Sequence, residues 1–101
     1  MELEIAPCSD GTIVSTLKGR LDTVSSPEFA VSMMPLLDNA DKHIILDCGE
    51  LEYVASSGLR QLLLLRKQTI AMGGDITLRN VQDSVRQVFT IAGFTPLFSF
   101  E

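Results

Sequence analysis

The sequence has few of the residues that hold metals, form disulfide frameworks or bind nucleotides. It contains two cysteines, Cys8 and Cys48, one histidine, His43, and no tryptophan. The cysteines lack CxxC spacing, so we expect neither a zinc site nor a disulfide framework. A His-based metal site is not expected, and a Ser-His-Asp triad would have to use His43. A Walker-type glycine loop with lysine is absent as well. The sequence therefore predicts no metal and no cofactor.

Basic residues and long apolar runs are also scarce. Eight Lys and Arg residues stand against thirteen Asp and Glu residues, which gives a net charge of −5, whereas binding to a nucleic-acid backbone needs a basic patch. The longest aliphatic run, Leu62–Leu65, is far shorter than the ~20 apolar residues of a membrane-spanning helix. The first residues, MELEIAPC, have acids where a signal peptide has basic residues. We therefore expect no nucleic-acid partner, no membrane insertion and a cytoplasmic location.

The chain has enough apolar residues for one core. Of its 101 residues, 46% are hydrophobic and 21% are charged, a composition that argues against a disordered chain. The length is typical of one domain. Residues 1–101 are therefore predicted to form a single domain.

Hydrophobic patterning predicts five strands. The first two form a hairpin around a turn at residues 9–11, after which the chain is expected to leave the sheet at Gly19. The third strand is a near-continuous apolar run, which is typical of a central strand buried on both faces, and residues 49–55 are predicted to be a loop. The predicted strands are Met1–Ile5, Thr12–Lys18, His43–Cys48, Ile76–Arg79 and Leu97–Phe100.

Three helices are predicted between these strands. Ser26 suits the N-cap of the first, before Pro27 and Glu28, and Pro35 predicts a kink or a stop near Met34. The second runs from Ser57 to about Met72. Its expected buried face is Leu59, Leu62, Leu65, Thr69 and Met72. Asn80 is expected to cap the third helix, and Gly93 to end it.

The element order is β-β-α-β-α-β-α-β. Strands that alternate with helices indicate crossover connections, so the predicted fold class is α/β with a mixed, mostly parallel sheet opened by a β-hairpin. In such sheets, ligands and partners meet the carboxyl ends of the strands. Two predicted loops lie there, at residues 19–26 and 47–58.

Two adjacent serines, Ser56 and Ser57, precede Gly58 at the predicted start of the second helix. Either serine suits an N-cap. The free N–H groups of a helix N-terminus also suit a covalently attached phosphate, and the missing side chain of Gly58 would let another protein's active site approach. We expect Ser57 to point its hydroxyl outward and Ser56 to turn back into the loop.

Four segments carry a resemblance to a known family. They are GRLD at 19–22, LDCGELEYV at 46–54, SSGLRQLLLL at 56–65 and GDITLRNVQDSVRQVFTIAGF at 74–94. Together they resemble the STAS family, which includes the bacterial anti-sigma factor antagonists. The resemblance implies a single STAS-type domain that is a regulatory binding protein rather than an enzyme.

The resemblance also implies a switch at Ser57, because the serine directly before the glycine is the family's phosphorylation site. The kinase is the partner anti-sigma factor, which uses its own ATP. The unphosphorylated antagonist binds that partner and frees the sigma factor, the phosphorylated form is released, and a serine phosphatase resets it. The chain departs from the family at Ala55, where many kinase-regulated members have aspartate, and at Arg60, where small residues are frequent.

Partner contacts are expected beside the acceptor serine. By resemblance Asp22 lies close to the phosphoserine and contacts the partner, although a turn residue after a strand is an equal alternative. Asp47 has the same two interpretations. Leu64 lies on an otherwise polar helix face, where a single exposed leucine is also ordinary. The predicted partner-binding residues are Asp22, Thr23, Ser26, Ser56, Gly58, Arg60, Gln61 and Leu64.

Two other functions remain open at this point. STAS domains also serve as subunits of ABC-type lipid transporters or of sensory complexes, where the serine is not necessarily phosphorylated. An enzyme with a phosphatase or rhodanese loop would need a cysteine followed by a main-chain cradle that ends in arginine. Cys48 is followed instead by Glu50 and Glu52, with no arginine before Arg60, and acidic residues repel anionic substrates.

Overall fold

The computed structural model describes residues 2–7 and 11–101. Met1, Cys8, Ser9 and Asp10 lie outside the described residues, and with them most of the turn predicted at 9–11. The elements in chain order are β1 (Glu2–Pro7), β2 (Thr12–Leu21), α1 (Ser26–Ser32), α2 (Met34–Asp38), β3 (His43–Val54), α3 (Ser56–Met72), β4 (Asp75–Arg79), α4 (Asp83–Ile91), a 3-10 turn (Thr95–Leu97) and β5 (Ser99–Phe100).

The five strands form one sheet in the order β1-β2-β3-β4-β5. β1 pairs antiparallel with β2, and β2, β3, β4 and β5 pair in parallel. The predicted α/β class and element order are confirmed. Pro35 interrupts the first predicted helix, because α1 ends at Ser32 and α2 begins at Met34.

The largest departures from the predicted strand bounds are in β2 and β3, while β1 continues to Pro7 and β5 begins only at Ser99. β2 continues to Leu21 and β3 continues to Val54, so the loop predicted at 49–55 is wrong. The extensions pair with each other, and Leu51 and Val54 are buried. The register of the two strands shifts near Lys18. Such an irregularity breaks the two-residue alternation by which a strand is recognised.

The core lies on one face of the sheet. Ile13, Ile44 and Ile76 align across β2, β3 and β4 in one buried row. Ile45 and Asp47 are only half-buried, so the expectation that β3 is buried on both faces is wrong. Its helix-facing side chains alternate with side chains that keep contact with solvent, as in a half-buried strand.

The buried face of α3 is the predicted one except at its last residue. Leu59, Leu62, Leu65 and Thr69 of α3 are buried, but Met72 is 43% exposed because α3 ends beside it at Gly73.

Asn80 does not cap α4. It adopts a left-handed φ of 59°, which asparagine tolerates, and Gln82 is the N-cap. The prediction for Gly93 is confirmed, since its φ of 76° follows the end of α4. In the described part of the chain, no helix has the length and apolarity to cross a bilayer.

Candidate functional site

The carboxyl ends of β2 and β3 bring the two predicted segments together. β2 ends at Leu21 and β3 at Val54, and these residues are paired in the sheet. The next peptide continues the contact, because the Ala55 N–H donates to the Leu21 carbonyl at 2.8 Å. The turn at residues 22–25 and the start of α3 therefore lie side by side at this edge, as the position of the loops predicts.

Asp22 organises the turn after β2. Its carboxylate oxygen Oδ1 accepts the N–H groups of Val24 at 3.1 Å and Ser25 at 3.0 Å. The Ser25 N–H is the largest cause that lowers the pKa of Asp22, with smaller contributions from the Ser25 hydroxyl, Val24 and Arg20. The carboxylate thus has the geometry of a turn residue, and contact with a partner stays a prediction.

Ser25 and Ser26 connect this turn to α1. Ser25 is the N-cap residue, and its hydroxyl donates to the Arg20 carbonyl at 2.7 Å. Ser26 is the first helical residue, so its predicted role as the N-cap is wrong; the turn held by Asp22 already places Ser25 there. The Ser26 side chain is buried, with 6% exposure, and its hydroxyl donates to the Asp22 carbonyl at 2.7 Å.

Ser26 and Ser57 are in direct contact. Their hydroxyl oxygens lie 2.9 Å apart, although α1 and α3 are far apart in the sequence. Ser57 is half-buried against α1, whereas Ser56 is exposed. The expected orientations are therefore wrong. α3 begins at Ser56 rather than Ser57, so the second serine already belongs to the first turn and faces the neighbouring helix.

Gly58 is buried against the end of β2. A Cβ atom at this position would lie 2.5 Å from Leu21 Cγ and 3.0 Å from the Leu21 carbonyl oxygen. The predicted opening for an approaching active site is wrong, because Leu21 fills that space. Gly58 lets α3 pack closely on β2, and it offers a partner no side chain.

Comparison with known proteins identifies the family. The family model of the STAS domain matches residues 5–101. This chain belongs to the STAS domain family. BtrV of Bordetella bronchiseptica, which is named as an anti-sigma factor antagonist, is 32% identical over 89 residues, or 88% of this chain and 77% of that protein.

Solved structures agree with the fold. SpoIIAA in its unphosphorylated form matches with a TM-score of 0.78 and 22% identity, over 99% of this chain and 88% of that one. The phosphorylated form of the Bacillus protein matches with a TM-score of 0.72 and the same identity, over 99% and 91%. A sulfate transporter family protein from Wolinella succinogenes matches with a TM-score of 0.75 and 18% identity, over 89% and 76%.

The prediction that the chain is not an enzyme is confirmed by this membership, because STAS anti-sigma factor antagonists are regulatory binding proteins. The state of Cys48 agrees. The residue is 2% exposed, and burial, with a smaller contribution from Asp47, raises the pKa of its thiol to about 12. A thiol with this pKa is protonated at neutral pH and is a poor nucleophile.

Asp47 lies away from the serines, on the β3–β4 side of the STAS domain. Its carboxylate accepts the Gly49 N–H at 3.1 Å and the Asn80 side-chain amide at 3.4 Å, and it lies 3.4 Å from the Arg79 guanidinium. These contacts connect the middle of β3 to the end of β4. They favour the structural interpretation of Asp47.

Ala55 leaves the N-terminus of α3 without a side-chain cap. It is the N-cap residue, with extended φ and ψ of −93° and 170°, and no side chain there bonds to the helix N–H groups. Alanine is a poor N-cap because it has no acceptor. The first N–H groups of α3 therefore remain available to water or to an anion beside Ser57.

The remaining predicted partner residues form the surroundings of Ser57. Thr23 and Arg60 are exposed, Gln61 is half-buried, and Leu64 has 51% of its surface exposed. The sequence analysis missed exposed apolar residues beside α1, namely Val24 at 89%, Val31 at 68% and Met34 at 56%. The helical spacing could have indicated two of them, because Val31 and Met34 lie outside the helix face on which Phe29 and Met33 are buried.

Proposed function

We propose that this STAS domain is an anti-sigma factor antagonist switched by phosphorylation of Ser57. Its similarity to BtrV and its family membership support the antagonist role. The observation that carries the proposal is the position of Ser57. Ser57 is half-buried in the first turn of the 17-residue helix α3, beside the turn that follows β2.

The charge added by a phosphate is of about the right size for a switch. Phosphorylation adds about −1.5 to −2 charges. The N-terminus of α3 stabilises an anion by roughly 0.3–1 kcal/mol, so the fold tolerates it. In a docked interface an uncompensated buried charge costs about 3–5 kcal/mol. That cost is close to the roughly 5.5 kcal/mol that moves an equilibrium from 1:99 to 99:1.

The proposed partners are an anti-sigma factor with serine-kinase activity, which brings its own ATP, and a serine phosphatase. The proposed contact surface is the exposed part of the turn at Thr23, together with Ser56, Arg60, the half-buried Gln61 and Leu64. Asp22, Ser26 and Gly58 support this surface from beneath, through the contacts described above. A cytoplasmic location belongs to the same proposal, because the kinase needs ATP.

A second function has one observation in its favour. The fold also matches the Wolinella sulfate transporter family protein, which favours a transport-associated STAS domain. The ABC-type lipid transporter subunit and the part of a sensory complex are alternatives of the same kind. In that case Ser57 need not accept phosphate. The two functions differ in a measurable way, since only the first requires a kinase partner.

The deciding experiment is phosphosite mapping by mass spectrometry. The protein is incubated with ATP and each serine-kinase candidate encoded beside it, with Ser56→Ala and Ser57→Ala as matched variants. We expect phosphate on Ser57 in the unsubstituted protein and in Ser56→Ala, and none in Ser57→Ala. We also expect Ser57→Ala to bind the kinase constitutively and Ser57→Asp to bind poorly. Phosphate on Ser56 alone contradicts the assignment, and no phosphate with any candidate favours the transport-associated function.

A further inference from the structure

The sheet is covered by helices on one face only. In β2, β3 and β4 the fully buried side chains, among them Leu17, Leu46 and Leu78, belong to the core that the helices cover. The alternate side chains lie on the other side and are half-buried or exposed. We call this other side of β1, of β2 as far as Lys18, of β3 as far as Glu50 and of β4 the open face. Parallel strands almost always occur in sheets with both faces covered, so the open face is a place where a further element can pack.

An apolar row crosses the middle of the open face. The sheet register sets Ala6 of β1 beside Val14 of β2, and Val14 beside Ile45 of β3. Thr77 of β4 continues the row beyond Ile45. Val14 and Ile45 are half-buried, and Ala6 is exposed. Removal of this apolar surface from water would favour association with a covering element.

Carboxylates outnumber bases beside this row. Lys18 lies 3.6 Å from the Glu4 carboxylate and 3.7 Å from the Glu50 carboxylate, so one base serves two acids. The side chains of Glu4 and Glu50 are 64% and 67% exposed, whereas that of Lys18 is 34% exposed. An approaching molecule therefore meets the carboxylates before the ammonium group. The pKa of Lys18 is raised, by Glu4 most and by Glu50 next, which agrees with a local excess of negative charge.

The excess extends over the whole open face. The Asp47 carboxylate lies 3.4 Å from the Arg79 guanidinium. Glu2 of β1 and Asp75, beside His43, add two further carboxylates. Among residues 2–7 and 11–101, the open face thus carries five acids and two bases, a net charge of −3 while His43 is neutral. The helices α1–α4 carry three acids and four bases, so the negative charge is a property of the open face and not of the helix-covered side.

We propose that the open face is a second docking surface, which binds a basic amphipathic helix of a partner protein. Helices are the elements that cover parallel sheets in α/β domains. The apolar side of such a helix would pack on Val14 and Ile45, and its Lys or Arg side chains would pair with Glu4 and Glu50. The charge disfavours a second copy of this chain, a nucleic acid and an anionic membrane as the occupant, since like charges repel.

This surface is separate from the serine pair. The serines lie at the start of α3, on the helix-covered side of the sheet, so a partner on each surface can be bound at the same time. The inference does not rest on phosphorylation, and its failure would leave the proposed function untouched.

The test uses a synthetic helical peptide as the probe. The peptide has about 18 residues, with leucine on one helical face and lysine on the other. A matched peptide has glutamate at each lysine position. Each is titrated into the 15N-labelled protein at about 0.15 M salt, where long-range charge effects are screened, and amide shifts give the contact surface and Kd. We expect the lysine peptide to shift amides of β1–β4 around Val14 and Ile45, and the glutamate peptide not to bind.

Two double variants separate the open face from general attraction to an acidic protein. Glu4→Gln with Glu50→Gln is expected to weaken Kd about five- to tenfold. Glu28→Gln with Asp38→Asn removes the same charge from exposed positions of α1 and α2 and should change Kd by less than about twofold.

A third variant tests the apolar row. Val14→Thr replaces one methyl group by a hydroxyl and is expected to weaken Kd about fourfold. Equal losses in the two double variants overturn the inference, and so do shifts concentrated on α1 and α3 or an unchanged Kd in Val14→Thr. Shifts of open-face amides on dilution of the protein alone would show that a second copy covers this face, and would overturn it as well.

Discussion

Gly58 and Leu21 approach so closely that no side chain fits between α3 and the end of β2. Leu21 is fully buried, and its Cγ atom would lie 2.5 Å from a Cβ atom at position 58. The backbone of β2 adds to the constraint, because its carbonyl oxygen at Leu21 would lie 3.0 Å away. This contact fixes the distance between the start of α3 and the end of β2, and with it the position of Ser57 beside α1.

Substitution of Gly58 by alanine is expected to destabilise the fold. Overpacking costs about 1–3 kcal/mol, and the higher helix propensity of alanine returns at most about 1 kcal/mol. Because the close atoms are a buried Cγ and a backbone oxygen, we expect the upper part of that cost, about 2–3 kcal/mol. The net loss in the free energy of unfolding is then about 1–2 kcal/mol, measured by urea denaturation. Gly49→Ala is the control, since its Cβ would meet two side-chain atoms, at 3.3 Å and 3.5 Å, and no backbone atom within 4 Å. Equal losses in the two variants contradict the packing role of Gly58.

Replacement of Ala55 by asparagine is expected to stabilise the protein. The extended backbone at this N-cap suits a capping side chain, and none is present. A good N-cap contributes about 1 kcal/mol relative to alanine, which raises Tm by about 4–8 °C in a domain of this size. Thermal unfolding followed by circular dichroism measures the shift. Ala55→Val, which cannot cap, should show no gain, and a similar rise in both variants would exclude capping as the cause.

Charge reversal at Arg60 is expected to weaken partner binding without unfolding the domain. Arg60 is exposed on α3, close to the serines. Loss of one exposed charge contact costs about 1 kcal/mol, or roughly fivefold in Kd, mostly through slower association. Surface plasmon resonance with the kinase partner measures both rates. Lys67→Glu, two turns further along α3, is the matched control. Unchanged binding by Arg60→Glu, together with loss of binding on substitution of exposed Arg86 in α4, would place the interface elsewhere.

The ionised Asp47 carboxylate is expected to stabilise the fold in a pH-dependent way. Burial by itself would raise the pKa of Asp47, but the Gly49 N–H, the Asn80 amide and the Arg79 guanidinium lower it below the ordinary value of 3.8. The folded pKa is thus lower than the unfolded one. The stabilisation is present above about pH 4 and is lost as the pH falls through the folded pKa.

Unfolding of Asp47→Asn by urea at a series of pH values tests this sign. The difference in free energy of unfolding between the unsubstituted protein and Asp47→Asn should be largest above about pH 5 and should shrink toward pH 2. Asp38→Asn, an exposed substitution at the end of α2, provides the comparison. A difference that grows as the pH falls would show that the carboxylate is not stabilised by these contacts.

The sequence by itself determined the order of elements and the family. Apolar spacing every three or four residues marks α3 from Leu59 to Thr69, and Pro35 and Gly93 mark breaks that do not depend on the rest of the chain. These are local properties, because a helix or a turn is specified by residues close in sequence. The combination of an apolar strand, an aspartate and Ser-Ser-Gly-Leu is specific enough to indicate the STAS family from the sequence alone.

Only the tertiary structure decided how the candidate site is built. The extension of β3 to Val54 depends on pairing with the end of β2 across a shifted register. The bond between Ser26 and Ser57 joins residues 31 positions apart, and the need for glycine at position 58 arises from Leu21. Each of these depends on a partner that is distant in the sequence. The helix α3 begins at Ser56, one residue before its predicted start, and this shift reverses which serine faces α1. Local patterns therefore located the serine pair, whereas packing between β2, α1 and α3 determined the orientation of each serine.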